Sequence, residues 1–176
     1  MSAVTAVFLD RDGTLNVKAP AGGYITSPVE MRLLPGAAAA VRALNVAGVP
    51  VVLVTNQRGI ALGVLNSAGY EQVTERLVEQ LAEHGATLDA VYVCPHERGV
   101  CGCRKPAPGM LLQAAREHPA IDLARAVMVG DSEADVEAGS AAGTATVRIA
   151  ESTVTTCADF TAPDLAGAVA WILREG

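Results

Sequence analysis

No apolar run in this chain is long enough to cross a bilayer. The run Val49 to Val54, for example, is far short of the ~20 residues a spanning helix needs. Positive charge is scarce as well. Thirteen Lys and Arg stand against 19 Asp and Glu, for a formal net charge of −6. That balance argues against a nucleic-acid or anionic-membrane partner, and it means an anionic ligand must be held by a local cluster of cations. The N-terminus lacks a basic stretch followed by an apolar one, so no signal peptide is expected and the expected location is the cytoplasm. Internal repeats, low-complexity tracts and linkers are also missing. Charged residues are only 18% of the chain and apolar residues 51%, which leaves little room for disorder. What remains is the composition of a globular protein, and 176 residues suit a single domain over 1–176, here expected to be a monomer.

Short apolar runs alternate with amphipathic stretches. Segments 4–9, 50–55, 88–94, 126–130 and 144–149 read as buried strands. Helices are expected over 36–47, ending at Gly48; over 67–84, capped by Ser67 and ending at Gly85; over 109–118; over 132–142, ending at Gly143; and over 163–174, with Pro163 in the first turn. Strand–helix alternation predicts an α/β fold, a doubly wound parallel sheet with helices on both faces. In such folds ligands sit beyond the carboxyl ends of the strands. Asp10 and Asp12, Thr55 and Asn56, and Asp131 should therefore converge. Two long loops, 11–34 and 95–108, are candidates for function.

The strongest local signal is Phe8-Leu9-Asp10-Arg11-Asp12-Gly13-Thr14, directly after the first strand. Asp10 is placed to attack a phosphorus atom while touching a divalent cation. Asp12 is placed to give a proton to the leaving oxygen and later take one from water. Asp131, in Val129-Gly130-Asp131-Ser132, offers a second hard oxygen ligand of the kind Mg2+ takes. Thr55 supplies a hydroxyl for phosphate oxygens and Lys105 a positive charge to offset anion–anion repulsion. Asp135 reads either as a partner of Asp131 or as a solvent-facing helix residue.

These motifs, in this order, resemble those of the haloacid dehalogenase-like phosphatases: Asp10-Arg11-Asp12-Gly13-Thr14, Thr55-Asn56, Lys105, and Gly130-Asp131 with Asp135. The resemblance covers nearly the whole chain. It implies a Rossmann-like fold, Asp10 as nucleophile and Asp12 as acid/base, phosphoryl binding by Thr55, Asn56 and Lys105, and Mg2+ held by Asp10, the Asp12 backbone carbonyl and Asp131.

Cys94-Pro95-His96 followed by Cys101-Gly102-Cys103 places three thiols and an imidazole within ten positions, a set that suits a closed, structural, tetrahedral Zn2+ site over about 94–103. Cys157 stands apart from it. The loop runs into Arg104-Lys105-Pro106, so a bound metal would fix the segment carrying Lys105. This zinc loop, with no stretch long enough for a large cap domain, is similar to the subgroup of heptose 1,7-bisphosphate 7-phosphatases and histidinol-phosphate phosphatases. Gly23-Tyr24-Ile25, Asn56-Gln57 with Gly59-Ile60-Ala61, and Lys105-Pro106 with Pro108-Gly109-Met110 resemble the heptose enzymes. Arg58, and a short segment between His96 and Cys101, depart from their pattern. The expected substrate is a phosphorylated sugar, with Arg104 and Arg58 gripping its second anion. Two non-enzymatic alternatives are a phospho-acceptor domain and a zinc-binding interaction module. The first places its acceptor after the third strand, where this chain has Cys94. The second has no need of Asp12.

Overall fold

The computed structural model of the chain describes residues 4–151 and 153–175. In chain order its elements are β1 (Ala6–Leu9), α1 (Ala37–Val46), β2 (Val51–Asn56), the short α2 (Arg58–Ala61), α3 (Ser67–Ala82), β3 (Ala90–Cys94), α4 (Gly109–Glu117), β4 (Ala126–Gly130), α5 (Glu133–Ala142), β5 (Ala145–Ile149), β6 (Phe160–Ala162) and α6 (Leu165–Glu175). The strands form one sheet in the order β3-β2-β1-β4-β5-β6, and every pairing is parallel. This is the doubly wound arrangement expected above. The chain builds outward from β1 on one side, then returns to β4 and builds outward on the other, which makes the β1/β4 boundary the switch point where ligands collect.

Side-chain alternation along the central strands divides the core into two layers. Val7 and Leu9 of β1 pack with Val41 and Leu44 of α1, Val73 and Leu77 of α3, and Ile172 of α6. Ala6 and Phe8 face the other way, onto Met110, Leu111 and Ala114 of α4 and Ala138 of α5. A strand covered on both faces has no use for polar residues, which is why these strands read as continuous apolar runs. Leu9 lies level with Leu53 on one side and Val129 on the other. The Asp10 N–H then donates to the Val129 carbonyl at 3.0 Å, so the residues leaving β1, β2 and β4 emerge at one edge of the sheet.

Four details differ from the sequence-based expectations. The edge strand β6 was not expected; it has three residues, anchored by Phe160 stacking on Trp171 with ring centroids 5.0 Å apart. The single turn α2 was also not expected, being too short to show a helical period. Asn66, not Ser67, caps α3 by accepting from the Gly69 N–H at 2.8 Å; asparagine and serine are nearly equal caps, and the extended backbone falls at Asn66. The last helix begins after Pro163, with the Asp164 carboxylate accepting from the Gly167 N–H. Among the described residues no large cap is inserted and no helix is long and apolar enough to cross a membrane.

Candidate active site

Asp10 leaves β1 at the switch point, and Lys105 arrives over it from the loop before α4. The Lys105 ammonium, itself buried, donates to Asp10 Oδ1 at 2.7 Å, to the Val54 carbonyl at 2.8 Å, and pairs with Asp135 Oδ1 at 2.7 Å. Burial works against its charge, but Asp10 and Asp135 outweigh burial and hold it above the ordinary lysine range. For Asp10 the balance falls the other way. Burial dominates, Lys105 opposes it, the charges of Asp135 and Asp12 add to it, and the carboxyl is pushed up to about 7. Further positive charge beside this acid would favour its ionised form.

Asp135 is committed: it also accepts from the Ser132 N–H and hydroxyl, closing the cap of α5. It is thus neither solvent-facing nor merely a neighbour of Asp131; it braces the lysine from beneath. Gly130 makes room for it, since a Cβ there would lie 2.3 Å from Asp135 atoms. Asp131 follows β4, and its Oδ1 is buried without a hydrogen-bond partner. Carboxylate oxygens of Asp10, Asp131 and Asp135 lie within 4.8 Å of one another, and a buried orphan oxygen in such a cluster fits a hard divalent cation. Gly13 has φ +91°, and a Cβ there would sit 2.4 Å from Asp131 Oδ2, so the turn between Asp12 and Thr14 admits only glycine.

The Asp12 carboxylate is engaged by other partners. It pairs with Arg11 at 3.0 Å and accepts from Asn16 Nδ2 and Gln57 Nε2, each at 2.9 Å. Three donors fix its orientation, and it is not part of the Asp10, Asp131 and Asp135 group. Arg11 and Gln57 stood in the sequence motifs without a role of their own, and Asn16 lay outside them. Arg11 is 1% exposed, which no arginine between two aspartates on a turn would suggest. Thr55 is buried within β2, and its hydroxyl accepts from Gln57. Asn56 binds the Lys105 backbone at both ends: its amide donates to the carbonyl at 3.0 Å, and its oxygen accepts from the N–H at 3.1 Å. It therefore locks the loop that carries Lys105. A cleft of 280 Å³ opens beside these residues, lined by Asp12, Lys18, Tyr24, Asn56 and Gln57 among others.

Neither expected rim arginine lines this cleft. The Arg58 guanidinium pairs with Glu97 of the cysteine–histidine loop. Arg104 keeps a buried Nη1 without a partner. Lys18, which the sequence did not flag, pairs with Asp131.

The four expected soft ligands do converge. Cys94 Sγ lies 3.6 Å from Cys101 Sγ, Cys101 lies 3.3 Å from Cys103, and His96 Nδ1 is 3.7 Å from Cys94 and 3.2 Å from Cys103. A tetrahedral ion with metal–sulfur bonds of about 2.3 Å needs ligand edges of about 3.5–3.8 Å. The cluster is close to that size. Cys157 is exposed and takes no part.

The haloacid dehalogenase-like hydrolase family model matches residues 17–143. The chain belongs to this family of hydrolases, and it is an enzyme, a phosphatase of that kind. It is 40% identical over 181 residues to the D-glycero-beta-D-manno-heptose-1,7-bisphosphate 7-phosphatase of Escherichia coli K12, covering 98% of this chain and 90% of that one. The protein of the same name from Salmonella typhi is 42% identical over 152 residues, 82% of this chain and 79% of its own. The crystal structure of the D,D-heptose 1,7-bisphosphate phosphatase from B. bronchiseptica, complexed with magnesium and phosphate, superposes with a TM-score of 0.87 at 34% identity, covering 98% of this chain and 99% of that one.

Proposed function

We propose that this enzyme hydrolyses the 7-phosphate of a heptose 1,7-bisphosphate through an aspartyl-phosphate on Asp10, with Mg2+ as cofactor. The observation that carries the chemistry is the buried Asp10–Lys105–Asp135 array beside the orphan oxygen of Asp131. The sugar is supported by the named heptose phosphatases at 40% identity over nearly the full chain.

Asp10 attacks phosphorus, forming a carboxyl oxygen–phosphorus bond while the bond from phosphorus to the sugar oxygen breaks. Asp12, held by Arg11, Asn16 and Gln57 on the cleft wall, gives that oxygen its proton. It then takes a proton from a water molecule, which attacks phosphorus, releases inorganic phosphate and restores Asp10. Lys105 and the Thr55 region meet the charge of the transferring group. Asp10, Asp131 and the Asp12 carbonyl would hold Mg2+. When bound, that ion supplies positive charge between the carboxylates and the phosphoryl oxygens. Cys94, His96, Cys101 and Cys103 would hold a structural Zn2+ that fixes the loop before Lys105. Arg104, with its unpaired Nη1, is the arginine assigned to a second anion on the substrate; Arg58 is already engaged by Glu97. The protein is read as a single-domain, cytoplasmic monomer.

Phosphate release from heptose 1,7-bisphosphate, from histidinol phosphate and from a simple monoester, each with and without Mg2+, tests the reading. A higher kcat/KM for the bisphosphate is expected. Preference for histidinol phosphate would overturn the sugar but not the phosphatase chemistry.

A further inference from the structure

Lys18 is the only cationic side chain among the residues lining the 280 Å³ cleft beside Asp12. Its ammonium pairs with Asp131 Oδ2, and its stem passes so close to Gly13 that a Cβ there would lie 2.4 Å from Cε. Asp131 attracts it most directly, and Asp10 and Asp135 add to the pull. Lys18 thus stands against one oxygen of the carboxylate whose other oxygen is the buried orphan. A divalent cation on that carboxylate and an ammonium on the same group repel each other. The side chain is half exposed, and an ion pair open to water is worth little, so the ammonium is easily given up. A lysine is suited to such an exchange, since its charge sits on a flexible four-carbon stem and is readily rehydrated. Once off Asp131, the ammonium borders the cleft next to Asp12, Asn56 and Gln57. Arg58 does not line that cleft, and its guanidinium is paired with Glu97.

We propose that Lys18 is a substrate-positioning residue for the anionic group remote from the reacting phosphate, and that Asp131 holds it in reserve until a divalent cation takes that carboxylate. The inference rests on the Mg2+-dependent sugar-bisphosphate reading given above.

Two substitutions test it, Lys18→Gln and Lys18→Arg. Calorimetric titration of the substrate-free protein with Mg2+ should show roughly two- to fivefold tighter binding in Lys18→Gln, because a competing cation has gone. In turnover, the same variant should raise KM for a sugar bisphosphate about tenfold, with kcat changed much less and KM for a simple monoester unmoved. Lys18→Arg keeps the charge and should restore both values towards wild type. Unchanged or weaker Mg2+ binding by Lys18→Gln, or an equal rise in KM on both esters, would sink the proposal while leaving the phosphatase reading intact. Wild-type protein that takes up no Mg2+ at all would remove both.

Discussion

The carboxylate cluster and the cysteine–histidine cluster are built on opposite plans. Asp10, Asp131 and Asp135 come from two strand ends and a helix, and Lys105 reaches them from a third region. They meet only when the whole sheet is in register. Their charge is already partly answered by Lys105 and Lys18, with one oxygen of Asp131 left over. The four soft ligands instead come from ten consecutive positions, and their ligand atoms have chiefly one another for company. The first cluster is therefore assembled by the fold and is largely buried at the switch point. The second is assembled within a single loop, whose own fold brings the four side chains together. The thiols underline this. Burial and its neighbours push Cys103 up to about 12, whereas hydrogen bonds outweigh burial at Cys101 and bring it down to about 6. Cys94 is raised by burial as well, so only one of the three thiols is held readily as a thiolate.

The sharpest break in the carboxylate plan is Asp10→Asn. It removes the nucleophile, and phosphate release should fall by at least about 10⁴-fold. Stability should move the opposite way. Folded Asp10 keeps its proton up to about 7, whereas its ordinary value is 3.8. Between those values the folded state binds more protons than the unfolded one, so this group's contribution to stability falls as pH rises through that window. In chelator at pH 7.5 the asparagine variant should therefore melt higher than wild type, and Mg2+ should narrow the gap. A lower Tm in chelator would show that the Lys105 contact outweighs burial. Next in size is Asp12→Asn. Loss of an acid/base group costs about 10²–10⁴-fold, and because Asp12 stands outside the carboxylate cluster, Mg2+ affinity should barely change. Tracking phosphate release and Mg2+ titration together separates the two aspartates.

The loop plan is broken by Cys101→Ser or Cys103→Ser. Protein purified without chelator should carry about one zinc per chain by elemental analysis, and either variant should lose it. Tm should drop by about 5–15 °C. Turnover should fall with it, because Asn56 ties the Lys105 backbone to β2 and a loosened loop strains that tie. Retained zinc, or full activity without it, would mean the loop holds its shape unaided.

The comparison also explains what the sequence made legible. Five strands were visible because burial on both faces demands unbroken apolar runs; β6 was not, since three residues with a threonine at the centre carry no such run. Residues that sit directly on strand ends, such as Asp10, Thr55 and Asp131, could be expected to converge from topology alone. So could four ligands packed into ten positions. What stayed hidden were side chains that bridge loops. Arg11 buried on Asp12 and Gln57 spanning Asp12 and Thr55 depend on how the ends of β1 and β2 meet, and Lys18 reaching Asp131 depends on the path of the chain between Gly13 and Leu34; no periodicity encodes either. Arg58 shows the same limit. Position suggested a substrate contact, whereas the structure pairs it with Glu97 across two loops.

That pair gives the smallest expected effect and the finest test of how the two clusters are joined. Arg58 opens α2, directly after the β2 end that carries Thr55 and Asn56, and Glu97 lies between His96 and Cys101. The contact thus links the phosphate side of the site to the metal loop from outside, while Asn56 links them from within. Glu97 raises the Arg58 guanidinium and Arg58 lowers the Glu97 carboxyl, as a shared charge-assisted hydrogen bond requires. If Arg58 acts only as this brace, Arg58→Ala and Glu97→Ala should each lower kcat/KM by less than about fivefold, equally on mono- and bisphosphates. The double variant should be no worse than either single one, because removing one partner already empties the contact. Arg104→Ala, by contrast, should cost about 10- to 100-fold on the bisphosphate alone. A bisphosphate-specific loss in Arg58→Ala that Glu97→Ala does not share would return Arg58 to the substrate. An equal, non-additive loss in both leaves it where the geometry has it, holding the zinc loop against the strand end on which the chemistry depends.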